Sequence, residues 1–438
     1  MARILYTCMI YTLTPLILLR LLWRSRRAPA YRQRWNERFG FVGKVGGGGP
    51  LIWVHAVSVG ETLAAIPLIR RLQNQYPEAV VLVTTTTPTG SAQVVEKLGA
   101  SVQHCYCPYD MPGAIGRFLR RSQPSLLVIM ETELWPNLIQ ACHHRGVPVV
   151  LANARLSAKS AAGYGKVSSL TRQMLCKLTK VAAQTEADGA RFVQLGLPES
   201  ALEVTGNIKF DLHLDDDLKA RAENLRAVWQ GTDKRPIWLV ASTHRGEDER
   251  VLAAFRLALA HHASLLLVLV PRHPERFNDV AALCEGTGLS MVRRSDFLSE
   301  AGGGLGRDTL SADTQLILGD SMGELLSFCG ASDLVFVGGS LVPVGGHNLI
   351  EPAAWGVPVL TGPHVFNFQA VAQLLNDAGG LTICEDEQAL AAGVVALLDD
   401  TERYQAMASA AHAVAEANRG ALDRLKVLID QQLTNVES

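Results

Sequence analysis

Gly338-Gly339-Ser340-Leu341-Val342-Pro343-Val344-Gly345-Gly346-His347-Asn348-Leu349-Ile350-Glu351-Pro352 follows the apolar run Leu334-Val335-Phe336-Val337 and leads into Ala353-Ala354-Trp355. A buried strand, a glycine-rich turn and a helix start in that order make one βα unit of a parallel sheet. Such a turn is expected to leave backbone N–H groups unpaired and aimed at one point, where a helix start adds partial positive charge for a phosphate. Glu351, three residues after Asn348, suits sugar hydroxyls better than phosphate. The stretch therefore reads as a nucleotide site, far enough along the chain to belong to a second domain.

Working outward, the same alternation fills the chain. Leu51–Val54 precedes a helix over Glu61–Gln75, and Val80–Thr84 a helix around Gly90–Leu98. Ser125–Met130 precedes Trp135–His144, and Val147–Leu151, Val181–Ala183 and Leu202–Val204 are further strands. A polar stretch, Asp211–Gly231, interrupts the pattern. It restarts at Pro236–Val240 and repeats at Leu265–Val270, Leu289–Val292, Leu316–Leu318, Leu334–Val337, Val357–Leu360 and Leu381–Ile383, with helices at Ala389–Asp399 and Glu402–Gln432. Continuous apolar strands separated by helices imply parallel sheets covered on both faces. The expected fold class is α/β, two Rossmann-like doubly wound domains facing across a cleft, with 51–211 as the first domain, 212–235 as a linker and 236–438 as the second. A length of 438 residues agrees with two cores.

Residues 1–40 hold eight arginines and one glutamate, while the whole chain has a net charge of −1. The basic charge is local, and nothing points to nucleic acid as a partner. Ile4–Leu19 is free of charged residues, and Arg20, Arg24, Arg26 and Arg27 follow. That order is opposite to a cleaved signal peptide and predicts an uncleaved anchor over 1–27, with the downstream chain on the cytoplasmic side. Residues 28–50, ending in Gly43–Pro50, read as a basic segment and flexible spacer. Gly302–Gly306 reads as a loop insertion. The eight cysteines are scattered, and the lone Cys105-x-Cys107 has no second pair, so a zinc site is not expected and a reducing compartment is. Asp215-Asp216-Asp217 fits a helix cap better than a metal site.

Candidate chemistry collects where strands end, which is where open α/β sheets bind ligands. After the first strand comes His55-Ala56-Val57-Ser58-Val59-Gly60-Glu61. Glu61 fits either a base in the cleft or a helix-capping acid. Glu131-Thr132-Glu133-Leu134-Trp135-Pro136 follows Ser125–Met130, and if the strand continues, both glutamates share one face and one pKa is pushed up. Gly206-Asn207-Ile208-Lys209-Phe210-Asp211 puts a cation at the end of the first domain. In the second domain Ser242–Glu247, Pro271-Arg272-His273-Pro274-Glu275-Arg276, Met322-Gly323-Glu324 and the Gly345–Glu351 turn all lie at strand ends.

Taken together and in order, these motifs, with Arg34-Trp35-Asn36-Glu37-Arg38-Phe39-Gly40 behind the anchor, resemble the 3-deoxy-D-manno-octulosonic acid (Kdo) transferases. The resemblance implies the GT-B architecture and metal-independent transfer of Kdo from CMP-Kdo to the lipid A precursor, lipid IVA, with no cofactor. It places the work on the cytoplasmic face of the Gram-negative inner membrane, in contact with its lipids. It makes Glu61 the general base, Glu131 and Lys209 transition-state stabilisers, and Pro271, Arg272, Met322, Gly323, Glu324, Asn348, Leu349, Ile350 and Glu351 the nucleotide contacts. A positive Lys209 suits the Kdo carboxylate, and the Gly345-Gly346 turn with Arg272 suits the phosphate. A non-hydrolysing UDP-sugar epimerase of the same architecture, or a membrane-tethered binding protein without catalysis, are the other readings.

Overall fold

A computed structural model describes residues 1–26, 28–231, 234–297 and 310–437. The Gly302–Gly306 insertion lies outside them. The chain divides into two units, one made of Met1–Asp211 with Arg419–Ser438 and the other of Leu212–Asn418.

The first unit is a seven-stranded parallel sheet: β1 Leu51–His55, β2 Val80–Thr85, β3 Gln103–Tyr106, β4 Leu126–Met130, β5 Val149–Ala154, β6 Lys180–Ala183 and β7 Leu202–Val204. Their order is β3-β2-β1-β4-β5-β6-β7, so the winding reverses between β1 and β4. Alternate residues feed two cores. Ile52, Val54 and Val128 pack on one face, Trp53, Leu127 and Ile129 on the other, which is why these strands read as continuous apolar runs. β3 is an unexpected strand. Its pattern is masked by Gln103 and His104, and it buries Cys105, whose thiol burial pushes up to about 12. Burial likewise raises Cys107, just beyond the strand, so both thiols act as small apolar side chains.

The second unit repeats the design with β8 Ile237–Thr243, β9 Leu266–Pro271, β10 Met291–Arg293, β11 Leu316–Leu318, β12 Leu334–Val337, β13 Val359–Thr361 and β14 Leu381–Ile383. All pairs are parallel, the order is β10-β11-β9-β8-β12-β13-β14, and the reversal falls between β8 and β12. Two doubly wound parallel sheets and one N-terminal apolar helix are the expected fold class.

Two expected boundaries are corrected. Residues 212–235 do not act as a linker: Asp216–Gln230 is a helix capped by Asp215, whose carboxylate accepts from the Leu218 N–H at 2.8 Å. Its Trp229 ring packs 5.2 Å from Phe328, inside the second unit. The second domain does not run to 438 either. The expected Glu402–Gln432 helix breaks at Asn418–Gly420 into Thr401–Ala417 and Ala421–Glu437. The last helix buries Leu425, Leu428 and Ile429 against Ile66 and Ile69 of the first unit. Asp211 caps it, taking the N–H groups of Gly420 and Leu422. Periodicity shows that a helix is apolar on one side, and says nothing about which sheet receives that side.

The helix Ala2–Ser25 is long and apolar enough to cross a membrane. One stripe of it docks on the first unit. Tyr6 hydrogen-bonds Asp110, the Thr7 hydroxyl donates to Asn137 Oδ1 at 3.0 Å, Leu21 and Ser25 are buried, and Arg32 Nε donates to Ser25 Oγ at 2.8 Å. The opposite stripe leaves Leu5, Met9, Leu16, Leu19 and Trp23 exposed.

Candidate functional site

In the first unit the reversal point of the sheet collects carboxylates. β1 ends at His55, and Ser58 caps the helix Val59–Gln75 that follows. Glu61 sits in its first turn, 8% exposed, with Oε2 accepting from the Val57 N–H at 2.8 Å and Oε1 from the Ser58 hydroxyl at 2.7 Å. This is the geometry of a helix cap. It also holds the carboxylate in one orientation while each oxygen keeps a second lone pair. Burial raises the Glu61 pKa above the ordinary range. The Val57 and Ser58 hydrogen bonds oppose that rise, and the charges of Glu133 and Glu131 add to it.

The expected strand continuation through Glu131 and Glu133 does not occur. β4 stops at Met130, and Glu131 turns the chain at φ 58°, a left-handed conformation that only a tightly held non-glycine residue keeps. Its N–H still pairs with the Ala152 carbonyl at 2.9 Å. The two glutamates therefore diverge. The Glu131 carboxylate lies 3.5 Å from Lys209 Nζ and 3.3 Å from Arg155 Nε. Glu133 Oε2 accepts from Trp135 Nε1 at 3.2 Å, and burial raises its pKa, with Glu131 adding to the rise. Lys209, suited from sequence to a sugar carboxylate, is already paired with Glu131. The strand end of β5 positions it. Asn153, at φ 53° beside a slip in the β5–β6 register, accepts the Ile208 N–H through Oδ1 at 3.1 Å. The structure thus brings Glu61, Glu131 and Lys209 to the end of one sheet.

In the second unit the turn after β12 differs from expectation. The N–H groups of Gly339, Ser340, Leu341, Gly345 and Gly346 are already paired within the chain. The fully buried Glu247 carboxylate takes those of Gly339, Ser340 and Leu341 at 2.7, 3.0 and 2.9 Å, and that of His244 at 3.1 Å. The N–H groups of Gly345 and Gly346 both go to the Gly339 carbonyl, at 3.0 and 2.8 Å. A backbone nest of this kind attracts an anion, and here the chain supplies its own. A phosphate is therefore not held by Gly345 and Gly346.

The other expected nucleotide residues lie at strand ends of this unit. Pro271 closes β9, and Arg272 is exposed just beyond it, its N–H on the Thr243 carbonyl at 3.0 Å. Arg276 of the same motif is internal, paired with the buried Asp248 and donating to the Thr243 carbonyl at 2.8 Å. Met322 is exposed, and Gly323 turns at φ 83°. Glu324 is gripped by Arg294 through two hydrogen bonds, at 2.7 and 3.2 Å, so its carboxylate fastens the loop. Leu349 and Ile350 are buried and seat the short helix Ile350–Ala354. Asn348 binds both ends of its own turn: Oδ1 accepts from the Ile350 N–H at 3.1 Å, and Nδ2 donates to Glu351 Oε1 at 3.0 Å. Burial raises Glu351, while Asn348 and the Arg272 charge pull it down. Among the described residues no group of three His, Cys, Asp or Glu side chains is placed to hold a metal ion.

Comparison with known proteins gives these motifs a family. The family of 3-deoxy-D-manno-octulosonic-acid transferases (kdotransferases) matches residues 33–212. The 3-deoxy-D-manno-octulosonic acid transferase of Haemophilus influenzae is 45% identical over 435 residues, 99% of either chain. The chain belongs to the Kdo transferase family. The Bordetella pertussis transferase is 39% identical over 97% of this chain and 98% of its own. A UDP-GlcNAc 2-epimerase from Neisseria meningitidis superposes with a TM-score of 0.57 at 15% identity, covering 88% of this chain and all of that one, a likeness of fold. A Kdo transferase is a glycosyltransferase, so this chain is an enzyme. Within this family member, Glu247, Asn153 and Arg155 are the supporting residues that sequence reasoning left without a role. The one signal for Asn153 was a polar residue inside the apolar run Val149–Ala154.

Proposed function

We propose that this Kdo transferase moves Kdo from CMP-Kdo to the lipid A precursor lipid IVA, without a metal ion, at the cytoplasmic face of the inner membrane. The single observation that carries the mechanism is the state of Glu61: oriented by Ser58 and Val57, and raised in basicity by burial and two neighbouring carboxylates. A sugar hydroxyl is a poor nucleophile and needs such a base within hydrogen-bond reach. Glu61 takes the acceptor proton as the oxygen attacks the anomeric carbon of Kdo. The bond from that carbon to the CMP phosphate breaks, and CMP leaves with the electron pair.

Glu131 and Lys209, joined at 3.5 Å, stand by the same strand ends. Their proposed role is to steady charge as it develops on the sugar. In the second unit Arg272 offers a guanidinium to the leaving phosphate, and Glu351, with one oxygen committed to Asn348, offers the other to ribose hydroxyls. The exposed apolar stripe of Ala2–Ser25 and the arginines that follow it suit a bilayer carrying anionic headgroups. The test is direct: purified protein, CMP-Kdo and a lipid A precursor in detergent, with mass analysis of the glycolipid. A product heavier by Kdo is expected from wild type and absent with Glu61→Gln. Wild-type turnover by Glu61→Gln refutes the base.

A further inference from the structure

In an open parallel sheet, ligands lodge beyond the carboxyl ends of the strands where the winding reverses. In the second unit that place lies between β8 and β12. Three imidazoles meet there, one from each of the loops after β8, β9 and β12. The His244 and His347 rings have centroids 5.0 Å apart and planes 10° from parallel, and they meet edge to edge with their Nε2 atoms 2.8 Å apart. His273 meets His244 edge-on at 5.3 Å.

The backbone is bent to bring them together. Ser242, a buried non-glycine residue, sits at φ 61°, and the pairing of β8 with β9 slips between Ala241 and Thr243. Gly339, at φ 68°, gives the rings their room: a Cβ there would stand 3.0 Å from the His347 ring and 3.3 Å from that of His244. Glu247 ties the two loops to one carboxylate. Left-handed non-glycine residues and register slips of this kind gather at functional sites.

Two Nε2 atoms at this distance share one proton. In a neutral pair one ring donates through Nε2–H, and the other carries its proton on Nδ1, which leaves one N–H for a ligand. The charged and titratable groups around the pair are Arg272, Arg276, His273 and Glu247. Burial, followed by the charges of His244, Arg272 and His273, pushes His347 down to about 4, and burial and His273 lower His244 as well. The one carboxylate beside the pair, Glu247, is committed to four backbone N–H groups, and the remaining side chains are donors or cations, so the site favours an anion.

We propose that the His244–His347 pair grips an oxyanion of the bound donor, its remaining N–H donating a hydrogen bond to a phosphate or carboxylate oxygen beside Arg272. The proposal rests on the donor reading above. The two sources separate cleanly, because CMP carries only the phosphate and CMP-Kdo carries the sugar carboxylate as well.

The experiment uses the full chain in detergent with its histidines 15N-labelled, titrated with CMP and then with CMP-Kdo, alongside His244→Phe and His347→Phe. In wild type, the imidazole nitrogen signals of His244 and His347 are expected to move on binding. The phenylalanine variants, which keep ring shape without donors, are expected to raise the KM for CMP-Kdo at least tenfold. A matching loss of CMP affinity assigns the grip to phosphate, and unchanged CMP affinity assigns it to the carboxylate. Bound donor with unmoved imidazole signals overturns the proposal, whatever the variants do. So does a KM within twofold of wild type in both variants. If wild type binds neither compound, the donor reading falls and this proposal with it.

Discussion

Replacing Glu247 tests whether an internal carboxylate organises the second unit of this enzyme. Four main-chain N–H groups converge on it, from His244, Gly339, Ser340 and Leu341, and it has no exposed surface. Hydrogen bonds to a charged acceptor contribute about 1.5–3 kcal/mol each, and a buried N–H left without a partner costs about 1–3 kcal/mol. Against this stands the cost of burying a carboxylate, several kcal/mol per ion. Glu247→Ala relieves that cost and strands four donors, and water entering the vacated space serves some of them, so the net loss is about 4 kcal/mol. Glu247→Gln keeps one acceptor oxygen but turns an NH2 toward the remaining donors, for a loss of about 2–3 kcal/mol. A chain of two units has no single unfolding midpoint, so the assay is hydrogen exchange followed by mass spectrometry on peptides covering β8 and β12. At about 1.4 kcal/mol per tenfold, protection there falls roughly a thousandfold in the alanine variant while β1 and β4 keep theirs. Acetate at high concentration is expected to restore protection in Glu247→Ala and not in Glu247→Gln. Protection in β8 and β12 within tenfold of wild type in the alanine variant refutes the reasoning.

Glu61→Gln keeps the shape of the cap and removes the proposed base, so transfer is expected to fall about 100-fold or more while CMP affinity stays within twofold, checked by CMP release and calorimetry. Glu133→Gln removes a like charge that raises Glu61, so the Glu61 pKa falls and the acid limb of the kcat/KM profile moves to lower pH; a move to higher pH contradicts the arrangement. Asp211→Asn weakens the cap of the last helix by about 1 kcal/mol, seen as faster hydrogen exchange in residues 421–434. His55 is buried with Nδ1 2.9 Å from Thr84 Oγ1, and burial lowers its pKa to about 4. Its folded pKa is depressed, so the unfolded chain takes up a proton that the fold refuses. Stability is full above pH ~6.5 and falls toward pH 4 at up to about 1.4 kcal/mol per pH unit, a slope that His55→Gln is expected to flatten in pH-dependent unfolding.

The strands were legible because parallel sheets buried on both faces write themselves as apolar runs, and Leu51–Val54 or Leu334–Val337 admit little else. β3 was not, because Gln103 and His104 make half of it polar, with His104 bonded to the Val83 carbonyl and to Ser91. Nor was the return of the last helix to the first unit, which depends on Asp211 meeting Gly420 across more than two hundred residues of chain. The site residues were legible as positions and less so as contacts. Glycine spacing after β12 predicted N–H groups open to a phosphate, whereas those of Gly339, Ser340 and Leu341 are taken by Glu247, almost a hundred residues upstream, which only the folded chain shows in place. Lys209 read as a free cation for the same reason.

The left-handed residues explain why strand ends in this enzyme resist reading from pattern. Glu131, Asn153 and Ser242 each adopt positive φ without being glycine, and each stands at or just past the carboxyl end of a strand flanking a reversal or its neighbour. Alternation predicts where the next side chain points only while φ stays in the β region. One left-handed residue re-aims everything after it, so the expectation that Glu131 and Glu133 share a face fails at the first residue past β4. The strain, of order 1–3 kcal/mol per residue, persists because each position is held from outside: Glu131 by its N–H on Ala152 and its carboxylate on Lys209 and Arg155, Asn153 by Ile208 and Gln184, Ser242 by the β8–β9 slip and the Gly338 backbone packed against its carbonyl. Glycine at these three positions would relax the backbone and release those side-chain contacts together at Glu131 and Asn153, whereas at Ser242 it would relax the backbone alone. Ser242→Gly is therefore expected to be neutral or stabilising by a few tenths of a kcal/mol in hydrogen exchange of β8. Asn153→Gly is expected to lose the anchor of Ile208 and, with it, the 3.5 Å approach of Lys209 to Glu131, lowering transfer without touching CMP affinity. Equal effects from the two glycines would mean that strain itself, rather than what the strained residues hold, sets the geometry of these sites.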